Sequence, residues 1–119
     1  EHTEPTLFAE YKTRLRLMSA TRHSLQTTGQ FPNSSGGRVN LYPLFTELDS
    51  TIISPTGRAG LIVPSAISID AYNAKLFSSL ITNNRLTSLF DFENRNAIFP
   101  QVHRSYRSYR FCLLTLAAR

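Results

Sequence analysis

The run Ala59–Val63 is apolar at every position except Gly60, and Arg58 and Pro64 close it on either side. It is too short for a helix, and an unbroken apolar run leaves no face for solvent. A strand covered on both faces meets both conditions, and such strands belong to parallel sheets in α/β proteins. Leu86–Phe92 reads as a second strand. Tyr109–Leu116 reads as a third, with Phe111 and Leu113 pointing one way and Cys112, Leu114 and Leu116 the other. Both of its faces are apolar, so it is expected inside its sheet.

Helical spacing fills most of the rest. Over residues 6–27, Leu7, Phe8, Tyr11, Leu15, Met18 and Leu25 recur at helical intervals, with Pro5 at the entry and Gly29 as a stop. Residues 29–38, rich in Gly, Ser, Asn and Pro, read as a flexible loop. Asn40 is placed to cap a helix over Leu41–Ile53, whose stripe is Leu41, Leu44, Phe45, Leu48 and Ile52, and Pro43 is tolerated in its first turn. A third helix over Ile69–Thr82 has Asp70 near its positive end and Tyr72, Leu76, Phe77, Leu80 and Ile81 on its apolar face, and Asn83-Asn84 ends it. A helix between the first two strands predicts a right-handed crossover and parallel pairing. The direct loop between the last two predicts antiparallel neighbours. The expected fold class is α/β, part of a three-layer sheet with an antiparallel final strand. One unit spans 1–119, with a helical lead-in over 1–28 and the sheet portion over 39–119.

The net charge of +5 is unevenly placed. Residues 1–93 carry eight basic and eight acidic side chains, whereas 94–119 carry Arg95, Arg104, Arg107, Arg110 and Arg119 and no acid. This is the pattern of a phosphate-binding edge or of a solvated arginine-rich loop, and charge alone does not choose between them. Ile98-Phe99-Pro100 precedes His103 and three of these arginines, which sets an aromatic ring beside a basic strip. Such a pairing suits holding a nucleic-acid base by its face and the backbone by its charge. The tandem Arg-Ser-Tyr at 104–109 reads as a local duplication that lengthens the loop.

Several classes are set aside. There is no Gly-x-Gly-x-x-Gly and no Gly-x-x-x-x-Gly-Lys phosphate loop, and His2, His23 and His103 have no metal-ligand spacing. Ser65 lacks the partners of a serine hydrolase. Asp91 and Glu93 could do acid–base work, against the plainer reading that Glu93 and Asn94 cap a turn. The single Cys112 lies in an apolar run and reads as a buried structural thiol, which suits a cytoplasmic protein. No apolar run approaches the roughly 20 residues that span a bilayer, and no signal-peptide pattern is present. The chain begins with Glu1, so a segment of a longer soluble protein is expected.

An ordered series of motifs runs along the chain: Asn40-Leu41-Tyr42-x-x-Phe45, Gly57-Arg58-Ala59-Gly60-Leu61-Ile62-Val63-Pro64, Asp91-Phe92-Glu93-Asn94-Arg95, Ile98-Phe99-Pro100-x-Val102 and Arg110-Phe111-Cys112-Leu113-Leu114-Thr115. Over roughly residues 25–117, this series resembles the adenine-specific DNA methyltransferases of the type IIG restriction–modification and phage-exclusion kind. The resemblance implies a doubly wound, Rossmann-like sheet with an antiparallel last strand inserted between its neighbours, S-adenosylmethionine as cofactor and double-stranded DNA as partner. It implies that Asn40, Tyr42 and Phe45 belong to the cofactor side, with Phe45 against the adenine ring, and that Phe99 with Pro100 stacks on a flipped target adenine. Arg95, His103, Arg104, Arg107 and Arg110 would then meet the DNA backbone. The plainer alternatives are that Phe45 is a core residue and Phe99 a plug that closes its loop.

Two departures limit the carry-over. The family's Gly-rich cofactor loop and its catalytic Asn-Pro-Pro-aromatic motif, which precede the Asn-Leu-Tyr segment, are absent, and a helix and a Gly/Ser loop stand there instead. The 119 residues therefore read as the second half of a catalytic domain. They are expected to bind S-adenosylmethionine weakly or not at all, and to self-associate through an exposed sheet edge unless the first helix covers the gap. A non-catalytic basic DNA-binding or interaction module that keeps the fold is the reading from a different class.

Overall fold

A computed structural model describes residues 4–96, 98–101 and 109–118. Three strands, β1 (Arg58–Pro64), β2 (Leu86–Glu93) and β3 (Arg110–Ala117), form a sheet in the order β1-β3-β2. β3 is antiparallel to both neighbours, with Leu114 opposite Leu61 on one side and Leu89 on the other. The antiparallel pairing of the last two strands and the internal place of the third agree with the expectation from sequence. The parallel pairing of β1 with β2 does not. The two run the same way, but β3 lies between them. A helical crossover fixes strand direction without fixing adjacency, and here the final strand fills the slot the crossover leaves.

Burial along β3 alternates strictly from Phe111 on. Cys112, Leu114 and Leu116 are buried, and Phe111, Leu113 and Thr115 face the other way. Helices α2 (Leu41–Ile52), α3 (Ala66–Ile69) and α4 (Ala74–Thr82) cover the first face. The core there joins Val63, Ile67, Leu76, Leu80, Cys112, Leu114 and Leu116, each large aliphatic side chain contributing about 1.5–3 kcal/mol on burial. The opposite face carries Ile62, Leu113, Phe90, Phe92 and Phe111, and Ile62 and Phe90 are 62% and 60% exposed. The expected three layers are therefore two among the described residues. An apolar residue at alternate strand positions signals a face suited to packing, and it does not supply the packing partner.

The third predicted helix is broken. α3 ends at Ile69, Asp70 accepts the Tyr72 amide at 3.0 Å, and a 3-10 turn over Ala71–Asn73 leads into α4. Asp70 is thus an N-cap for that turn, because its short side chain competes for backbone amides better than it sits within a helix. The predicted stop holds: Asn84 takes φ 54°, and the Arg85 amide donates back to the Leu80 carbonyl at 2.8 Å.

α2 also departs from its predicted stripe. Leu41, Phe45 and Ile52 are exposed, while Pro43, Leu44, Thr46, Glu47 and Ser50 are buried. The polar members are satisfied locally. Thr46 and Ser50 donate to the Tyr42 and Glu47 carbonyls at 2.8 and 2.7 Å. Glu47 accepts the amides of Asn33 and Ser34 at 3.0 and 2.9 Å and the Asn33 side chain at 2.8 Å. The segment read as a loop is thereby tied to α2 at its middle, with Phe31 buried beside it.

Helix α1 (Glu4–Thr27) stands away from the sheet. Leu7, Phe8, Tyr11, Leu15 and Met18 are all exposed, so the apolar spacing of this segment produces no buried face. Its C-terminal end is held to the next segment by Arg22 and Gln26, whose side chains donate to the Gly37 carbonyl at 3.5 and 3.2 Å. Among the described residues no helix is long and apolar enough to cross a membrane.

Candidate functional site

β2 ends at Glu93, and the chain turns through a 3-10 segment, Asn94–Asn96, before Phe99 returns over the bare face of the sheet. Asn94 makes this turn. It is 3% exposed, its amide donates to the Tyr109 carbonyl at 3.4 Å, and its side chain grips both backbone groups of Phe99. Asn94 Oδ1 accepts the Phe99 amide at 2.9 Å, and Asn94 Nδ2 donates to the Phe99 carbonyl at 3.4 Å. The amide side chain thus closes the loop as a strand partner would.

The Phe99 ring meets Phe111 edge-on, with centroids 5.1 Å apart and planes at 67°. Phe111 stacks on Phe92, its register partner across β2 and β3, at 5.6 Å and 18°. Edge-to-face and offset contacts of this kind each add about 0.5–1.5 kcal/mol beyond area burial. Phe99, Phe111, Tyr109, Ile62, Val63, Pro64, Asn94 and Arg110 line a pocket of about 300 Å³. Its walls are mostly apolar and aromatic, with Asn94 and Arg110 as polar groups. Phe99 remains 39% exposed, so part of its ring is free for a further contact. Pro100 follows Phe99 and is exposed outside this lining.

The helix-bearing side of the same sheet end is charged. The Ser65 hydroxyl donates to one oxygen of Asp91, and the Arg110 guanidinium pairs with the other. Arg95 pairs with Glu93 at 3.2 Å. Asp91 and Glu93 are therefore each engaged with an arginine. Burial pushes the Cys112 thiol up, and the Asp91 charge adds to the shift, which keeps the sulfur protonated and unreactive. Among the described residues no three His, Cys, Asp or Glu side chains group closely enough to hold a metal ion.

The residues assigned to the cofactor side lie elsewhere. Asn40 takes the N-cap position of α2 with extended backbone but makes no side-chain cap bond. The Tyr42 hydroxyl accepts a bond from Asn73 Nδ2 at 2.9 Å, and its ring packs on the core. Phe45 is 57% exposed beside a pocket of about 160 Å³ that it lines with Leu25, Phe31, Leu41, Leu44 and Leu48. That pocket shares no lining residue with the one at Phe99. His103, Arg104 and Arg107 lie outside the described residues. The sequence reading missed Asn94, Phe111, Tyr109 and Ile62 as parts of the Phe99 site. Phe111 and Ile62 could have been found from strand alternation once both strands were aligned beside each other.

The model of a family described as Eco57I restriction-modification methylase matches residues 13–99. The chain belongs to this family. No curated protein and no solved structure matches it. The Eco57I-family match starts within α1, earlier than the motif series suggested, and takes in α2, β1, α3, α4 and β2. It includes Asn94 and stops at Phe99, so the aromatic wall falls inside the methylase homology while β3, its backing, lies beyond it.

Proposed function

We propose that this methylase-family chain forms the later part of an S-adenosylmethionine-dependent, adenine-specific DNA methyltransferase domain of Rossmann-like fold, and that Phe99 is one wall of the pocket for the flipped adenine. The observation that carries this reading is the pocket of about 300 Å³ built from Phe99, Phe111 and Tyr109 at one end of the sheet. A duplex base cannot be reached in its stack, so it must be swung out, and an aromatic face returns about 1–3 kcal/mol of the lost stacking.

Double-stranded DNA supplies the partner for the basic C-terminal quarter. Arg95 and Arg110 are paired with acids, but their side chains are 80% and 62% exposed. Exposed ion pairs are worth about 0–1 kcal/mol, so a phosphate can replace the carboxylate. His103, Arg104 and Arg107 extend the same strip in sequence. Asn40, Tyr42 and Phe45 are proposed for the cofactor side; of the three, Phe45 lines the separate cleft beside α2, whereas the Tyr42 ring packs on the core.

The test is made in the longer protein this reading requires, with the Gly-rich loop and Asn-Pro-Pro-aromatic motif upstream. Phe99→Ala should lower adenine methylation about tenfold or more, as loss of one base–aromatic stack implies, with the thermal midpoint little changed. Unchanged methylation would remove Phe99 from the base pocket. Absence of both upstream motifs would favour a non-catalytic DNA-binding module.

A further inference from the structure

We infer that Asn94 is the positioning residue of the Phe99 wall, the group that fixes where the ring stands in the pocket. The inference rests on the base-stacking reading of Phe99 for its purpose, and on geometry alone for its mechanism. An ordinary turn residue would cap a backbone amide and leave the rest of the loop to solvent. Asn94 instead satisfies the amide and the carbonyl of one residue, Phe99, at 2.9 and 3.4 Å, while its own amide is bonded to Tyr109 at the start of β3. Its side chain thus ties the Phe99 loop to the junction of both strands that back the pocket.

Asn94 is buried, at 3% exposure, so water cannot easily replace either bond. Only a group with one acceptor and one donor at that spacing fits. Asparagine has both, and aspartate has both only when protonated. The consequence for Phe99 is direct. Its edge contact with Phe111 is a single aromatic pair, worth about as much as one hydrogen bond, and does not fix a loop by itself. With the Asn94 clamp the ring is held at one angle to Phe111, leaving its open part toward the pocket. A ring held in place before the base arrives loses less freedom on stacking.

The experiment uses the 119-residue chain with proton NMR contacts between the Phe99 and Phe111 rings as readout. They should be present in the parent chain and lost in Asn94→Ala, while amide exchange at Cys112–Leu116 stays slow. In Asn94→Asp the contacts should be absent at neutral pH and return on acidification. Once the introduced carboxyl is protonated, its proton restores the missing donor to the Phe99 carbonyl. Persistent contacts in Asn94→Ala, or a pH-independent Asn94→Asp, would overturn the inference. If Asn94→Ala fails to fold, the pH response of Asn94→Asp decides. A second titration is made in the longer protein with the upstream motifs, against a duplex with one unpaired 2-aminopurine, followed by fluorescence. Affinity should fall about tenfold in Asn94→Ala, as one lost stack implies. If the longer protein ignores the probe while the NMR pattern of the 119-residue chain holds, the base-stacking reading fails and the positioning role stands.

Discussion

Two buried polar side chains govern the local structure. Asn94 closes the turn after β2, and Glu47 closes the segment before α2 by accepting amides of Asn33 and Ser34. Both act on backbone groups that would otherwise be orphaned, which is where a single side chain has most leverage. Glu47→Ala should destabilise the chain by about 2–3 kcal/mol, the range for losing charged hydrogen bonds and leaving donors unpaired. Urea unfolding monitored by far-ultraviolet circular dichroism measures it, and a midpoint equal to that of the parent chain would show the segment is held by Phe31 alone. The turn-capping place of Asn94 was legible in sequence, but its hold on Phe99 and the inward role of Glu47 were not. An Asn after a strand or a Glu within an amphipathic helix has many uses, and only the partner across space selects one.

The strands show how far a pattern reaches. The alternation in β3 placed Cys112, Leu114 and Leu116 on one side and Phe111 and Leu113 on the other, and the structure keeps that division. It did not say that, among the described residues, only one side is covered. Leu114→Ala, at the centre of the core, should cost about 2–5 kcal/mol, whereas Leu113→Ala, at 37% exposure on the bare face, should cost well under half as much. Paired thermal melts decide this, and equal losses would mean that the second face is covered in solution. The site followed the same logic. Phe99 was legible as an aromatic beside a basic strip, while its backing by Phe111 and Phe92 depended on the register of β3 against β2.

The bare face matters most for the whole molecule. Ile62, Phe90, Phe92, Phe111 and Leu113 form a contiguous apolar surface at one sheet face, with β1 and β2 as its two edges. Helix α1 does not cover it. Exposed faces and edges of this kind favour association, so light scattering should show the apparent mass rising with concentration, and Phe90→Lys should reduce that rise. A constant monomer mass across the range would show that α1 or another segment folds onto the face in solution.

The sequence by itself determined the three strands, the first two helices, their order and the antiparallel return of the last strand, because each of these is written in local periodicity, turn residues and loop length; the break of the third helix at Asp70 was not foreseen. It also carried the methylase family, through motifs spaced along the chain. Tertiary structure alone decided that β3 separates β1 from β2, that helices cover one face of the sheet, that α2 turns Glu47 inward, and that Asn94 clamps Phe99. Those outcomes depend on which groups meet across space. Hydrogen-bond satisfaction and shape choose among partners that a local pattern leaves equivalent.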